Sequence, residues 1–246
     1  METQLPAVSN PKALPVERGS GWLLEGFGYF SKSPATWIGL MLLFFVITFV
    51  IMLIPFIGSL VINLLTPVFM AGLILGCQAQ AQGGELTINH LFAGFSKNTA
   101  QLVILGLLYM LGIIVLSIIA IVLVFTLLGG MAMLQNMESG NPDMMMQNIR
   151  GILLVVLIIS ALYIPLLMAF WFAPALVILN DVSPVNALKM SFQGCLVNIL
   201  PFTLYGIVGL VLLIIAMIPL GLGLLILMPM IIASIYISYR EIYGVD

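Results

Sequence analysis

Charge is what this sequence has least of. Asp, Glu, Lys and Arg make up only 7% of its 246 residues, whereas about a quarter of an ordinary soluble domain is charged. Hydrophobic residues account for 63%. A soluble fold is excluded because such a chain cannot cover itself with a water-compatible surface. The net charge of −2 also gives no basic surface, so no nucleic-acid partner is expected.

Cysteine and histidine are scarce as well, with two Cys and one His. Cys77 and Cys195 are far apart and show no metal-ligand spacing, so neither a disulfide nor a metal or other cofactor is predicted. His90 is interpreted as an ordinary interfacial histidine. No ionisable residue lies well inside an apolar stretch, which argues against an ion-coupled pump. The sequence offers no catalytic residues, and we do not expect an enzyme.

Six apolar stretches are long enough to cross a bilayer core, which takes roughly 20 helical residues. The turns within the first and last pairs are so short that they predict antiparallel helical hairpins. The predicted fold is therefore all-α, a polytopic membrane protein with six transmembrane helices. The spans lie at about 35–54, 57–79, 101–128, 152–179, 199–218 and 222–239.

The basic residues predict the orientation. Of the seven Lys and Arg residues, only Arg150 falls on the side opposite the others, which is a positive-inside pattern. Both termini are therefore expected in the cytoplasm, with 129–150 as a periplasmic loop. Residues 1–19 lack the apolar core of a signal peptide and predict a disordered cytoplasmic tail before a single transmembrane domain, 20–246.

One phrase recurs along the chain. "LEGFGYFSKSPATW" aligns with "NHLFAGFSKNTAQL" and, less closely, with "KMSFQGCLVNILPF", which places Phe27, Phe92 and Phe192 at equivalent positions. Such self-similarity indicates internal repeats. We predict three repeats, at about 20–83, 84–181 and 182–246, each a hairpin preceded by an interfacial amphipathic helix.

The second helix of each hairpin carries Pro-x-x-x-Ala, at Pro67, Pro165 and Pro229. Proline removes a helical hydrogen bond and kinks the helix. Three such kinks either shape a central cavity or curve each hairpin around its neighbours.

The predicted amphipathic helices begin at Ser20, Thr87 and Ser183. Apolar residues recur on one face of each, at helical spacing. That face either enters the boundary between headgroups and acyl chains or packs on the protein itself. The residues of the face are Leu23, Phe27 and Phe30 in the first, Ile88, Leu91, Phe92 and Phe95 in the second, and Val185, Leu188, Phe192 and Cys195 in the third.

Three lysines, Lys32, Lys97 and Lys189, lie at predicted cytoplasmic edges of the spans. A lysine there can bind an anionic lipid headgroup, and it can equally serve as a topological anchor.

The predicted periplasmic loop is rich in methionine. Thioether sulfur is a ligand for Cu(I), but methionine is also an adaptable contact residue for a membrane surface or a protein partner. The methionines are Met131, Met133, Met137, Met144, Met145 and Met146.

The segments "GWLLEGFGYFSKSPATWIGL", "LTPVFMAGLILGCQAQAQGGELTINHLFAGFSKNTAQL" and "IIASIYISYREIYG" carry a resemblance. Through them the chain resembles a family of proteobacterial six-span inner-membrane proteins with helical-hairpin repeats, which has no settled activity. The resemblance implies the bacterial inner membrane.

Two functions stay open at the level of sequence. One is the handling or transport of a lipid or another apolar molecule, with membrane lipids as partners. The other is a membrane scaffold or assembly factor that binds other membrane proteins or its own copies. Soft-metal binding at the methionine-rich loop is a third, weaker hypothesis.

Overall fold

A computed structural model describes residues 9–128 and 142–245 of the chain. The described elements are helical, and the short segment before α4 is a 3₁₀ helix. They are α1 (Arg18–Lys32), α2 (Pro34–Met52), α3 (Ile57–Ala81), the 3₁₀ helix (Ile88–Phe95), α4 (Thr99–Leu128), α5 (Pro142–Trp171), α6 (Ala173–Asn180), α7 (Pro184–Val197), α8 (Ile199–Met217) and α9 (Leu224–Tyr243).

The all-α, six-span prediction is confirmed. Among the described residues, six helical stretches are long and apolar enough to cross a membrane. Each agrees with its predicted span to within a few residues, since continuous apolarity depends on local composition alone. The stretches are Pro34–Met52, Ile57–Ala81, Thr99–Thr126, Ile149–Asn180, Ile199–Met217 and Leu224–Tyr243.

The chain divides into two compact units. The first contains residues up to Leu107 and those from Met168 onward, and the second is Leu108–Leu167. Within the second unit, the hydroxyls of Tyr109 and Tyr163 lie 3.1 Å apart and join α4 to α5 by a hydrogen bond. Residues 129–141 of the predicted periplasmic loop, with Met131, Met133 and Met137, lie outside the described residues, as do the side chains of Met144 and Met145. The rest of that segment, 142–150, is not a loop but the beginning of α5, where Met146 is exposed.

Each short helix of the first unit packs on a hairpin other than its own. Gly26 of α1 lies against the carbonyl of Met230 in α9, and Gly94 of the 3₁₀ helix lies against the carbonyl of Val68 in α3. Any side chain at either glycine would overlap that backbone. In α7, the hydroxyl of Ser191 donates to the carbonyl of Met168 at 2.7 Å. The second and third short helices thus dock on the preceding hairpin, and the first docks on the last.

The apolar face of each of these three short helices contains buried residues as well as exposed ones. Leu23, Leu91 and Cys195 are buried in the first unit. Phe27 and Phe92 remain 47% and 43% exposed. Part of each face therefore packs on the protein itself, and the entry of the exposed part into the headgroup boundary stays a prediction.

The helix starts agree with prediction at Thr87 and Ser183, which are the N-cap residues of the 3₁₀ helix and α7. Thr87 and His90 form a capping box, in which the backbone N–H of Thr87 donates to Nδ1 of His90 at 3.0 Å. His90 therefore has a structural role that its interpretation as an ordinary interfacial residue missed.

The described part of the predicted tail is held in place, which corrects the expectation of disorder for residues 9–19. Helix α1 begins at Arg18, two residues before the predicted start at Ser20. Upstream, the backbone N–H of Leu14 donates to Oδ1 of Asn198, and Nδ2 of Asn198 donates to the carbonyl of Lys12, both at 2.9 Å. A buried amide thus provides the order that the tail's own composition does not.

Pro67, Pro165 and Pro229 each stand inside a continuous helix, namely α3, α5 and α9. That they bend these helices stays a prediction. The fourth span is interrupted elsewhere, at Phe172, where α5 ends and α6 begins. Pro174 explains this position, because its ring lacks an N–H and clashes with the preceding helical turn.

Candidate functional site

The ends of α3, α6 and α9 form the densely packed centre of the first unit. Ile74, Leu176 and Tyr239 are fully buried there. The ring of Phe172 stands edge-on to Tyr243, with 5.7 Å between centroids. These interior positions are filled by side chains and leave no room for a ligand.

A cleft of about 510 Å³ lies between the start of α2 and the end of α3. We call it the Lys32 cleft. The junction of α1 and α2 supplies one wall, and the last turn of α3 with the residues after it supplies the other. The cleft is lined by Lys32, Ser33, Thr36, Gln80, Gly83, Gly84, Glu85 and Leu86.

The α2 wall carries positive charge. The N-cap residue Ser33 makes no side-chain capping bond, so the N–H groups of Ala35 and Thr36 begin the helix without a side-chain acceptor. Helix N-termini carry roughly half a positive charge and attract anions. The Lys32 ammonium lies 5.0 Å from the centroid of the Tyr29 ring. Burial raises the pKa of the Tyr29 phenol, so this ring stays neutral at physiological pH.

The α3 wall carries an unused acceptor. Gln80 is only 5% exposed, and its Nε2 donates to the carbonyl of Tyr29 over a long 3.4 Å. Its Oε1 is buried and has no hydrogen-bond partner among the described residues. Leaving a buried polar atom unpaired costs about 1–3 kcal/mol. The Gln80 amide therefore keeps one unsatisfied acceptor.

The turn after α3 places a carboxylate at the same cleft. Gly83 adopts a positive φ of 79°, and the N–H of Gly84 returns to the carbonyl of Ala79 at 2.8 Å. This left-handed turn ends the helix in the way glycine favours. It leads directly into Glu85, which is exposed and, within the described residues, forms no ion pair with Lys32. The cleft thus holds two opposite charges that do not neutralise each other directly.

Of the three predicted headgroup lysines, only Lys32 lines this cleft. Lys97 donates to the carbonyl of Ile178 at 2.8 Å and lies 3.6 Å from the carboxylate of Asp181. Its neighbour Asn98 donates to the carbonyl of Val177 at 2.9 Å. These contacts satisfy carbonyls at the end of α6 that have no partner within the helix. Lys189 is exposed on α7, away from the cleft.

A polar cluster outside the Lys32 cleft connects α1, near the N-terminus, to α9, near the C-terminus. The guanidinium of Arg18 pairs with Glu25 at 2.8 Å and with Glu241, whose carboxylate also accepts a 2.8 Å hydrogen bond from Nε1 of Trp22. The bond to Glu241 raises the pKa of Arg18, so this cation is charged at any ordinary pH. Sequence reasoning missed this cluster because no local pattern links Arg18 to a residue so distant along the chain.

Comparison with known proteins gives one informative relative. A probable inner membrane protein of Burkholderia thailandensis is 29% identical over 250 residues, which cover 93% of this chain and 92% of that protein. No family model matches the chain, and no solved structure matches it. Together with the six membrane-length helices, this relative agrees with the resemblance seen in the sequence. The chain is a multi-pass inner-membrane protein.

Proposed function

We propose that this protein binds membrane phospholipids, with the lipid phosphate held in the Lys32 cleft. The observation that carries the proposal is the position of Lys32 beside the uncapped first turn of α2, a helix of membrane-spanning length. A cation and free backbone N–H groups meet there, at the level where a span begins. Phosphates of a bilayer lie at that level.

The surroundings of the cleft suit a lipid better than a soluble anion. On α1, Leu24 and Phe27 are exposed apolar side chains one to two turns before Lys32. After the cleft, Ile88 and Phe92 of the 3₁₀ helix are exposed as well. Exposed apolar residues on short helices favour burial at the boundary of the acyl chains. In the predicted orientation, this boundary belongs to the cytoplasmic leaflet.

The expected strength of the interaction is modest. A lysine near an anionic lipid surface contributes about 1 kcal/mol, and a helix N-terminus contributes roughly 0.3–1 kcal/mol toward an anion. Such a site selects and orients a lipid that the membrane already supplies at high concentration. It does not require high affinity from solution.

Lipid titration of the purified full-length chain tests the proposal. In one detergent, the melting temperature and native mass spectra are recorded with dioleoyl phospholipids and with dioleoylglycerol, which has the same chains and no phosphate. We expect stabilisation and adducts with the phospholipids. In Lys32→Gln, phospholipid affinity should fall about five-fold.

Lys189→Gln is the matched control, since it removes an exposed lysine from outside the cleft. Equal binding of dioleoylglycerol, or unchanged binding in Lys32→Gln, would refute phosphate recognition at this site.

A further inference from the structure

We propose that the Lys32 cleft selects a headgroup that carries both a phosphate and a primary ammonium, as phosphatidylethanolamine does. This inference rests on the proposed phospholipid binding and adds the chemical class of the headgroup. It follows from the wall opposite Lys32, where Gln80 and Glu85 provide acceptors that a phosphate cannot use.

The cleft has two electrostatically different ends. Lys32 and the first turn of α2 offer donors and positive charge, which suit a phosphate. Glu85 and the free Oε1 of Gln80 offer acceptors and negative charge. Within the described residues, Lys32 and Glu85 form no ion pair with each other. A zwitterionic headgroup would therefore complement both walls at once.

The carboxylate of Glu85 discriminates against headgroups that carry only negative charge. Phosphatidylglycerol and cardiolipin would place phosphate next to Glu85 with no cation between them. Like charges brought together in this way reduce affinity, which is a repulsive element of specificity. A phosphatidylserine headgroup would add a second carboxylate near the same wall.

The Gln80 acceptor discriminates between two zwitterionic headgroups. Its Oε1 is buried and unpartnered, so the ligand that completes it must donate a hydrogen bond. A primary ammonium has three N–H donors. The trimethylated nitrogen of choline has none, and binding phosphatidylcholine would leave Oε1 unpaired. Ethanolamine is therefore favoured over choline although both carry the same charge.

The test compares dioleoyl lipids that differ only in headgroup, bound to the full-length chain in one detergent and quantified by native mass spectrometry. We expect phosphatidylethanolamine to bind about ten-fold more tightly than phosphatidylcholine, the ratio expected when one buried acceptor is left unpaired. Phosphatidylglycerol should also bind more weakly than phosphatidylethanolamine. Soluble glycerophosphoethanolamine, which lacks acyl chains, should bind far more weakly than the lipid.

Two variants assign the selectivity to the cleft. Gln80→Leu should lower the preference for phosphatidylethanolamine over phosphatidylcholine to about three-fold or less, with phosphatidylcholine binding nearly unchanged, because it removes the acceptor. Glu85→Gln should instead lower the preference for phosphatidylethanolamine over phosphatidylglycerol, because it removes the repelling carboxylate. Glu17→Gln removes an exposed carboxylate outside the cleft and should keep both preferences. Because Glu85 is exposed, its variant keeps the test valid if Gln80→Leu fails to fold.

The outcomes separate the two proposals. Equal binding of phosphatidylcholine and phosphatidylethanolamine, or tighter binding of phosphatidylglycerol, overturns the headgroup assignment while Lys32-dependent phospholipid binding still stands. Tight binding of glycerophosphoethanolamine would show that the ligand is a soluble molecule and overturn the lipid identification. Binding that depends neither on phosphate nor on Lys32 would overturn both proposals.

Discussion

The hydroxyl of Ser191 in α7 accepts a hydrogen bond of 2.9 Å from the backbone N–H of Phe172, the residue between α5 and α6. The same hydroxyl donates to the carbonyl of Met168 at 2.7 Å. In an uninterrupted helix, the N–H of Phe172 would bond to that carbonyl directly. Ser191 is thus inserted into the break between α5 and α6, and it fixes the position of α7.

Removing this hydroxyl should destabilise the first unit. In Ser191→Ala, the buried N–H of Phe172 loses its acceptor, at a cost of about 1–3 kcal/mol. Thermal unfolding in detergent measures the loss. Ser31→Ala is the control, because the exposed Ser31 hydroxyl bonds only within its own helix. Equal melting temperatures for the two variants would contradict the proposed role.

The contact of Gly26 with α9 should tolerate no side chain. A Cβ at Gly26 would overlap the carbonyl of Met230, so Gly26→Ala must push α1 away from α9. We expect a loss of about 1–3 kcal/mol in unfolding free energy. Gly28→Ala, on the same helix, meets no atom within 4 Å and should be neutral or stabilising by up to about 1 kcal/mol. Equal melting temperatures for the two variants would contradict the close approach of α1 to α9.

Asn198 should control the N-terminal segment. Asn198→Ala removes the hydrogen bonds to Lys12 and Leu14 and also the 2.9 Å bond from Nδ2 to the carbonyl of Gly194. Limited proteolysis near residues 9–17 should become faster than in the wild-type chain. Asn186→Ala, which alters an exposed amide on α7, provides the comparison. Unchanged cleavage in Asn198→Ala would show that the segment is held by other contacts.

The thiol of Cys195 should be unreactive in the folded chain. Burial raises the pKa of Cys195 to about 12, from an ordinary value of 9.0. The thiolate, which is the reactive form, is therefore scarce at pH 8. A Cys77→Ala chain should react slowly with a maleimide when folded and rapidly once denatured. Fast labelling of the folded chain would contradict the burial of Cys195.

The raised pKa of Cys195 also makes the stability of the folded chain depend on pH. Between about pH 9 and 12 the folded chain holds a proton on Cys195 that the unfolded chain has lost, so this contribution to stability decreases as pH rises through that window. Cys195→Ala should lose that part of the alkaline dependence. Identical alkaline titrations of Cys195→Ala and its parent chain would contradict it.

The orientation is a prediction that fusions can test. Green fluorescent protein fused after Asp246 should fluoresce, because the C-terminus is expected in the cytoplasm, whereas alkaline phosphatase fused there should be inactive. Alkaline phosphatase inserted within 129–141 should be active. The reverse pattern would contradict the positive-inside assignment and move the Lys32 cleft to the periplasmic leaflet.

The candidate site was predictable only in part. Lys32 and Lys97 occupy equivalent positions in the repeated phrase, and the sequence gives no reason to separate them. The structure separates them through their neighbours. Asp181 and the last carbonyls of α6 surround Lys97, whereas Lys32 has Gln80 and Glu85 across an open cleft. A repeat specifies similar local segments, but the contacts made by each copy depend on what packs beside it.

The role of Gln80 could not be predicted from the sequence either. In the sequence it belongs to the run "GCQAQAQGG" at the end of the second span, where its companions Gln78 and Gln82 look the same. Tertiary packing around this end of α3 buries Gln80 and leaves one of its amide atoms without a partner among the described residues. Burial of a polar group depends on tertiary neighbours, so composition could not distinguish it from the other two.

The sequence by itself determined the class of protein, the six spans and the short turns that join the first two spans and the last two. Each depends on the apolarity of about twenty consecutive residues or on a short turn, and lipid forces such segments into helices that satisfy their own backbone. The tertiary structure decided which hairpin each short helix joins, which of the equivalent lysines lines an open cleft and where the fourth span breaks. Those outcomes depend on close contacts between residues far apart in the chain, such as Gly26 with Met230. No local pattern encodes such contacts.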